Sequence, residues 1–340
     1  MNIPVSDPFG AASDPALPTL AAALDPLRAK KEFKRRLPSL SGQNGKLRLQ
    51  AIRVTRHKPG RRCVVEYDVL LESPGSASQP VTLVGKVRAR RFGNESVRLL
   101  DQIWQAGFDD QSADGVSVPQ PVGVIPRFQM WFQRKVPGEP ATNVMTGPGG
   151  VALASRVAEA IHKLHRAGIP TDRSHGMEDE LRILQDCLAK AAQLRPELAA
   201  RLERLRMACE RLGAGTPANS ACGIHRDFYP AQVLVDGGRL FLLDFDLYCL
   251  GDPALDLGNF IGHLIEQAVR EFGDESALAA QAATLEERFA ALAGEQHRAA
   301  IRAYTTLTVA RHVYLSTQFP ERASCTEPLL ENCERRLGLS

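Results

Sequence analysis

The side chains best suited to chemistry concentrate in one segment, residues 222–260. There His225 and Asp227 form an H-x-D triplet, Gln232 follows five positions after Asp227, and Asp244 ends an apolar run. A carboxylate can orient an attacking hydroxyl and accept its proton. Carboxylate and amide oxygens are also ligands that Mg²⁺ prefers in proteins. The spacing therefore points to phosphoryl transfer, which depends on positioning and charge stabilisation rather than on covalent chemistry by the protein.

Solvated turn residues are the ordinary alternative, because a bare H-x-D-x4-[N/Q] pattern also arises by chance. Two further features argue against chance. The first is the apolar strand pattern that leads into Asp244, and the second is the sequence Gly-Asp-Pro-Ala-Leu-Asp-Leu at 251–257. We therefore interpret the whole segment as one functional unit.

A hairpin must bring these residues together. Residues 233–246 carry two apolar runs separated by Asp-Gly-Gly at 236–238, which predicts two short antiparallel strands with a tight turn. Such a hairpin returns Asp244 to the neighbourhood of Asp227, 17 positions earlier in the chain.

The rest of the chain changes character near residues 133–138. Alternating apolar residues predict strands before this point, and apolar residues at helical spacing predict helices after it. The predicted strands are 47–57, 63–73 and 81–90, followed by a helix from Asn94 to Gly107 and two further strands; the predicted helical regions are 151–167, 177–213 and 277–317.

Residues 222–260 resemble the catalytic segment of the aminoglycoside phosphotransferase and choline kinase superfamily, whose members are relatives of protein kinases. That pattern is H-x-D-x-x-x-x-N, an apolar strand ending in Asp, and then G-D-P-x-x-D-L. The resemblance implies an α+β, protein-kinase-like bilobal fold. It would comprise an N-terminal arm at 1–40, partly disordered or helical, a β-rich nucleotide-binding lobe at 41–136, and a helical lobe at 137–340 with the catalytic loop.

The resemblance also implies roles for individual residues. Asp227 resembles the catalytic aspartate that accepts the proton of the substrate, and Asp244 resembles the aspartate that binds magnesium. Gln232 occupies the place of the usual asparagine ligand, with an amide oxygen one methylene further from the backbone. Asp256 resembles the aspartate that supports the catalytic loop. Asp246 is either a further metal or water contact or a turn residue.

In the first half, Lys86 lies on the third predicted strand and resembles the lysine that contacts the α/β-phosphates of the nucleotide. A solvated strand lysine is the alternative. Glu95 on the following helix is the natural partner for Lys86, with Asp101 as a rival.

Two other segments complete the expected nucleotide site. No G-x-G-x-x-G is present, but the turn at 57–62 stands at that position and could offer backbone amides and the guanidinium of Arg61 to phosphate. Gln133, Arg134 and Lys135 are expected to form the linker between the lobes whose backbone meets the adenine.

These expectations favour a small-molecule kinase that uses ATP, with GTP as an alternative, and Mg²⁺ to phosphorylate a hydroxyl of a sugar, amino sugar or amino alcohol. A nucleotide-binding pseudokinase acting as a scaffold or regulator is the alternative, supported by Gln232 and the missing glycines. A protein kinase is disfavoured because only eight positions separate Asp244 from Asp252, which leaves almost no activation loop. Acceptor contacts are expected beyond residue 257, among Glu266, Arg270, Asp274, Glu275, Glu286, Glu287 and Arg288.

Composition excludes several other classes. The 340 residues are 44% hydrophobic and carry a net charge of +3, which is too mild to indicate nucleic-acid binding. Seven cysteines with no C-x-x-C pair predict free thiols in a reducing compartment. No apolar stretch is long enough for a membrane helix, so a cytoplasmic protein is expected.

Residues 1–26 are expected to form a loose arm and residues 27–36 a short basic helix. The sequence does not indicate an oligomeric state.

Overall fold

The chain divides into two compact units, Met1–Pro137 and Gly138–Ser340. The computed structural model describes residues 3–37, 40, 45–72, 77–89 and 94–339. The predicted α+β fold class with a β-rich first part and a helical second part is confirmed. Among the described helices, none is long and apolar enough to cross a membrane. All seven cysteines are free thiols, as the sequence predicts.

The first unit is built on a six-stranded sheet in the order β1-β2-β3-β4-β7-β6. Strands β1 and β2 run parallel, and every other neighbouring pair is antiparallel. Alternate side chains of the central strands are buried, as their two-residue periodicity predicts. The elements of this unit are β1 (Val5–Ser6), α1 (Leu20–Ala23), α2 (Pro26–Arg36), β2 (Lys46–Lys58), β3 (Arg62–Glu72), β4 (Gln79–Arg88), α3 (Glu95–Ile103), β5 (Val116–Ser117), β6 (Pro121–Ile125) and β7 (Met130–Arg134).

The N-terminal segment differs from the loose arm expected for residues 1–26. Leu17, Leu20 and Phe33 are fully buried in the core of this unit. The ring of Phe33 packs edge-on against Tyr67 and Phe132, with centroid distances of 5.0 and 5.5 Å. Burial of the apolar face of the sheet is favourable, and these leucines and Phe33 pack on it and remove it from water.

The helix predicted from Asn94 to Gly107 is shorter than expected. Regular helix ends at Ile103, and a wider helical turn follows over Trp104–Phe108. Gly107 has φ 91°, a conformation that glycine adopts without strain and that ends the helix.

The second unit contains eight helices and two small sheets among its described residues, one ordered β8-β10-β11 and one pairing β9 with β12. The predicted hairpin is formed by β10 and β11, with Asp236 opposite Arg239. The elements of this unit are β8 (Glu139–Pro140), α4 (Ala141–Val144), α5 (Gly150–Arg166), α6 (Met177–Leu194), α7 (Ala199–Gly215), β9 (Cys222–Ile224), β10 (Val233–Asp236), β11 (Arg239–Leu242), β12 (Cys249–Gly251), α8 (Ala254–Phe272), α9 (Ala279–Ala293), α10 (Arg298–Ser316) and α11 (Thr326–Leu337).

Helix α8 is buried along most of its length and packs closely on α10. Two glycines on α8 permit this approach. A Cβ atom at Gly258 would lie 2.5 Å from Cβ of Tyr304, and one at Gly262 would lie 2.5 Å from Cγ2 of Thr308. The close packing fixes the two helices that supply most of the polar side chains near Asp227.

Candidate active site

The loop after β9 is held by one buried carboxylate. Asp256, fully buried in the first turn of α8, accepts the backbone amide of His225 at 2.8 Å and that of Arg226 at 2.6 Å. It also lies 2.8 Å from Nε2 of His165 on α5. These contacts fit the supporting role that the sequence resemblance implies for Asp256. They place Asp227 at the end of a fixed segment.

The hairpin is joined to this loop through Leu243. The amide of Leu243 donates to the carbonyl of Gln232 at 2.9 Å, and its carbonyl lies 2.8 Å from Nε2 of His225. Leu243 immediately precedes Asp244, so the same two contacts bring Asp227, Gln232 and Asp244 into one region. Asp244 has φ 61°, a left-handed conformation that is strained for aspartate and common at functional sites.

The electrostatics of Asp227 reflect this crowding. Burial raises the pKa of Asp227 above its ordinary value of 3.8, and the charge of Asp244 raises it further. His225, Arg311 and a hydrogen bond from the Gln232 amide offset part of the rise. A carboxylate whose pKa is raised accepts a proton more readily, which suits a general base.

Asp244 has an oxygen that suits a cation. Its Oδ1 is buried and accepts no hydrogen bond from any described residue. A buried carboxylate oxygen without a partner is costly unless an ion or a proton satisfies it. Gln232 donates its amide N–H groups to Asp227 and to the Tyr229 hydroxyl, which leaves its amide oxygen able to act as a second metal ligand.

The donor set fits magnesium better than zinc. The described residues contain no group of three or more His, Cys, Asp and Glu side chains arranged for a metal ion. Mg²⁺ commonly takes only one or two carboxylates and completes its shell with water and substrate phosphates. Asp244 and Gln232 match that incomplete protein shell.

A cavity of about 430 Å³ opens beside Asp227 within the second unit. The rings of Tyr229 and His263 stack on its wall at 4.5 Å, and His312 meets His263 edge-on at 4.5 Å. Of the residues expected to contact an acceptor, Glu266 and Arg270 line the cavity. The remaining ones are not among its lining residues: Asp274, Glu275, Glu286, Glu287 and Arg288.

Several lining residues were not anticipated from the sequence. Arg311 and His312 lie on α10, and Arg322 lies in the turn that follows it. The helical periodicity predicts α10 but does not show which of its polar residues face a cavity. Their proximity to Asp227 depends on the packing of α10 against α8.

In the first unit, Lys86 lies on β4 opposite Trp131 of β7. Its ammonium nitrogen is 4.7 Å from the centre of the Trp131 ring, a cation–π contact. Glu95 is exposed at the start of α3, and no ion pair joins it to Lys86 in the described part of the chain. The expected Lys86–Glu95 pair is therefore not formed in this structure.

The expected linker is partly strand. Gln133 is buried in β7 opposite Val84. The Lys135 amide donates to the Thr82 carbonyl at 2.8 Å, and its ammonium pairs with Glu66 at 2.7 Å. The Lys135 amide therefore already donates a hydrogen bond within the first unit.

Polar groups of the turn after β2 also have hydrogen-bond partners within the first unit. The amide of Gly60 donates to Asp14 at 2.9 Å, and Nε2 of His57 lies 2.8 Å from the same oxygen. The amide of Arg61 donates to Lys58, while its side chain is exposed. The hydrogen bonds from Gly60 and then His57 lower the pKa of Asp14. The Gly60 and Arg61 amides are therefore occupied, whereas the Arg61 side chain is exposed.

The sequence matches the model of the phosphotransferase enzyme family over residues 88–304. This match covers more than half of the chain and includes all of residues 222–260, which contain Asp227, Gln232 and Asp244. The chain belongs to this family. The resemblance to aminoglycoside phosphotransferases and choline kinases is confirmed, and no curated protein sequence matches the chain.

Several solved structures share the fold at low sequence identity. Choline kinase from Cryptosporidium parvum matches with a TM-score of 0.55 and 11% identity, over 92% of this chain and 95% of that one. The choline/ethanolamine kinase family protein from Mesorhizobium loti gives 0.53 and 16%, over 91% and 93%. Aminoglycoside phosphotransferase APH(4)-Ia gives 0.54 and 15%, over 91% and 99%. The kinase-like fold of this phosphotransferase is thereby confirmed.

Proposed function

We propose that this phosphotransferase transfers the γ-phosphate of ATP to a hydroxyl group of a small molecule, such as a sugar, an amino sugar or an amino alcohol. The observation that carries the proposal is a pair of hydrogen bonds at Leu243, whose amide donates to the Gln232 carbonyl and whose carbonyl accepts from Nε2 of His225. These two contacts support an arrangement in which the oxygen ligands lie beside Asp227 and its cavity. GTP is the alternative donor.

In the proposed step, the acceptor oxygen bonds to the γ-phosphorus while the bond from that phosphorus to the β,γ-bridging oxygen breaks. ADP leaves with the electron pair of that bond. The hydroxyl proton passes to Asp227, whose raised pKa favours its capture. Because such transition states are loose, orientation of the hydroxyl by Asp227 matters as much as removal of its proton.

Asp244 and Gln232 would hold Mg²⁺, which when bound neutralises charge on the phosphates. Lys86, whose ammonium nitrogen lies 4.7 Å from the centre of the Trp131 ring, would contact the α/β-phosphates. The exposed Arg61, together with Gln133 and Lys135, belongs to the proposed nucleotide-binding surface. Glu95 would pair with Lys86 only after rearrangement.

The comparisons support a small-molecule acceptor. APH(4)-Ia was solved as a ternary complex with ADP and hygromycin B, and a further structural match, at a TM-score of 0.53, is glucosamine kinase with glucosamine, ADP and phosphate. Both acceptors carry hydroxyl groups.

The test is ATP consumption with Mg²⁺ over a panel of metabolites and aminoglycosides, with the mass of each product checked for one added phosphoryl group. Transfer to at least one hydroxyl compound, lost in Asp227→Asn, is the expected result. ATP binding without turnover of any compound would favour the pseudokinase alternative.

A further inference from the structure

Two of the three carboxylates that line the cavity are already paired with arginines. Glu180 lies 2.6 Å from Nε2 of His175 and accepts from Arg311 at 3.2 Å. Burial raises the pKa of Glu180, but the hydrogen bond from His175 and the charge of Arg311 outweigh it, so the net pKa is lowered and Glu180 is ionised. Glu266 accepts from Arg270 at 3.0 Å. Among the described lining residues, Asp227 is therefore the only carboxylate without an arginine partner.

Two arginines that line the cavity, Arg226 and Arg322, have no hydrogen-bonded carboxylate partner among the described residues. The guanidinium groups of Arg226 and Arg322 donate no hydrogen bond to any described residue. The nearest carboxylate oxygen to Arg322 belongs to Glu266 at 3.7 Å, and Glu266 is already paired with Arg270. Arg322 rests over the ring of Phe319 at 5.3 Å with about a third of its side chain exposed. Each guanidinium offers five N–H donors in a planar fork that matches a carboxylate or phosphate.

The imidazoles between these groups add no positive charge. Burial, followed by the charges of Arg311, Arg322 and Arg270, lowers the pKa of His312 to about 3. Burial also lowers the pKa of His263 well below 6.5. Both rings are neutral at pH 7 and can serve as hydrogen-bonding groups. Four arginines and three carboxylates line the cavity, so the arginines outnumber the carboxylates by one.

From these contacts we infer that the acceptor is an alcohol that also carries an anionic group, a carboxylate or a phosphate. Arg322 and Arg226 bind that group, and the hydroxyl lies at Asp227. A cationic amino sugar would meet arginines that have no hydrogen-bonded carboxylate, and Asp227 would be the one lining carboxylate of the described residues without an arginine partner. The inference rests on the proposed function and narrows its acceptor to sugar acids, hydroxy acids or sugar phosphates.

Isothermal titration calorimetry with four probes of one carbon skeleton tests this: D-gluconate, D-glucose 6-phosphate, D-glucose and D-glucosamine. Saturating AMP-PNP and Mg²⁺ are present so that anions do not bind in the nucleotide site. At least one anionic probe is expected to bind about tenfold or more tightly than glucose, and glucosamine more weakly than glucose. Arg322→Gln and Arg226→Gln should each remove about tenfold of the anion affinity. The matched control is Arg302→Gln, an exposed arginine of α10 outside the cavity, which should change nothing.

Three results would overturn the inference. They are tightest binding of glucosamine, anion affinities that are unchanged in both cavity variants, and no anion binding with a Kd below about 10 mM. Turnover is measured separately with the same four probes and the metabolite panel. Anion binding that depends on Arg322, combined with no phosphorylation of any compound, would contradict the proposed kinase activity while leaving the anion site established.

Discussion

Asp256 Oδ1 accepts the backbone amide of Arg226 at 2.6 Å, at a residue whose φ is 69° and which immediately precedes Asp227. A left-handed conformation costs about 1 kcal/mol or more for a residue with a side chain. The same carboxylate also holds the His225 amide and lies against His165. The geometry of the catalytic loop therefore depends on one buried side chain far along the chain.

Replacing this carboxylate should destabilise the protein. In Asp256→Asn, the side-chain NH₂ meets groups that are themselves donors, so at least one buried amide loses its acceptor. We expect a loss of about 3 kcal/mol in the free energy of unfolding, measured by urea denaturation. Asp236→Asn, at the exposed turn of the hairpin, should stay within about 0.5 kcal/mol of wild type. Equal stability of the two variants would show that Asp256 does not support the loop.

His312 should make stability depend on pH in weak acid. Its folded pKa of about 3 lies below the unfolded value of 6.5, so the unfolded state binds one more proton between these values. The contribution of His312 to the free energy of unfolding is fully present above about pH 6.5, and it is lost progressively as the pH drops towards 3. The contribution of His312 to the change in the free energy of unfolding with pH reaches about 1.4 kcal/mol per pH unit. Thermal unfolding between pH 7 and pH 4.5 should show a shallower decline in His312→Gln, and an unchanged slope would refute this assignment.

The metal ligands should differ in importance. In the proposed function Asp244 would supply the anionic oxygen, so Asp244→Ala should be inactive at every accessible magnesium concentration. Gln232→Ala should recover partly as magnesium rises, and Gln232→Asn should stay within about tenfold of wild type because a water can fill the gap. Titrating magnesium against the initial rate compares the three. A dead Gln232→Ala beside a fully active Asp244→Ala would reverse the assignment.

Replacement of Lys86 should weaken the binding or the turnover of the nucleotide. Lys86→Ala removes an ammonium that is expected to contribute about 1.5–3 kcal/mol on the α/β-phosphates, so the KM for ATP should rise or kcat should fall by about tenfold or more. Lys46→Ala, at the exposed start of β2, serves as the control. Unchanged ATP kinetics would mean that Lys86 does not contact the phosphates of the nucleotide.

Local patterns carried most of what the sequence could predict. Asp227, Gln232 and Asp244 lie within 18 positions, and a hairpin with a recognisable turn joins them, so their proximity follows from short-range rules. Alternating apolar residues likewise predict β2, β3 and β4. These features need no knowledge of how distant segments pack.

Long-range contacts were not predictable in this way. Arg322 and Asp227 are 95 positions apart, and only the packing of α8 on α10 puts both on one cavity. Asp14 stands in a segment rich in Pro and Ala that resembles a loose arm, yet its carboxylate holds Gly60, 46 residues later. The expected Lys86–Glu95 ion pair is not formed in this structure. The presence of one basic and one acidic residue does not predict where the start of α3 lies relative to β4.

The activity of Asp227→Asn tests the central claim most directly. Burial raises the pKa of Asp227, so the uncharged asparagine should leave the protein at least as stable at pH 7, and lost activity cannot then come from unfolding. With an acceptor from the panel, we predict that kcat falls by about 10²–10⁴-fold, while Asp236→Asn keeps wild-type activity. A folded Asp227→Asn variant that retains more than about a tenth of kcat would contradict the assignment of Asp227 as the catalytic base.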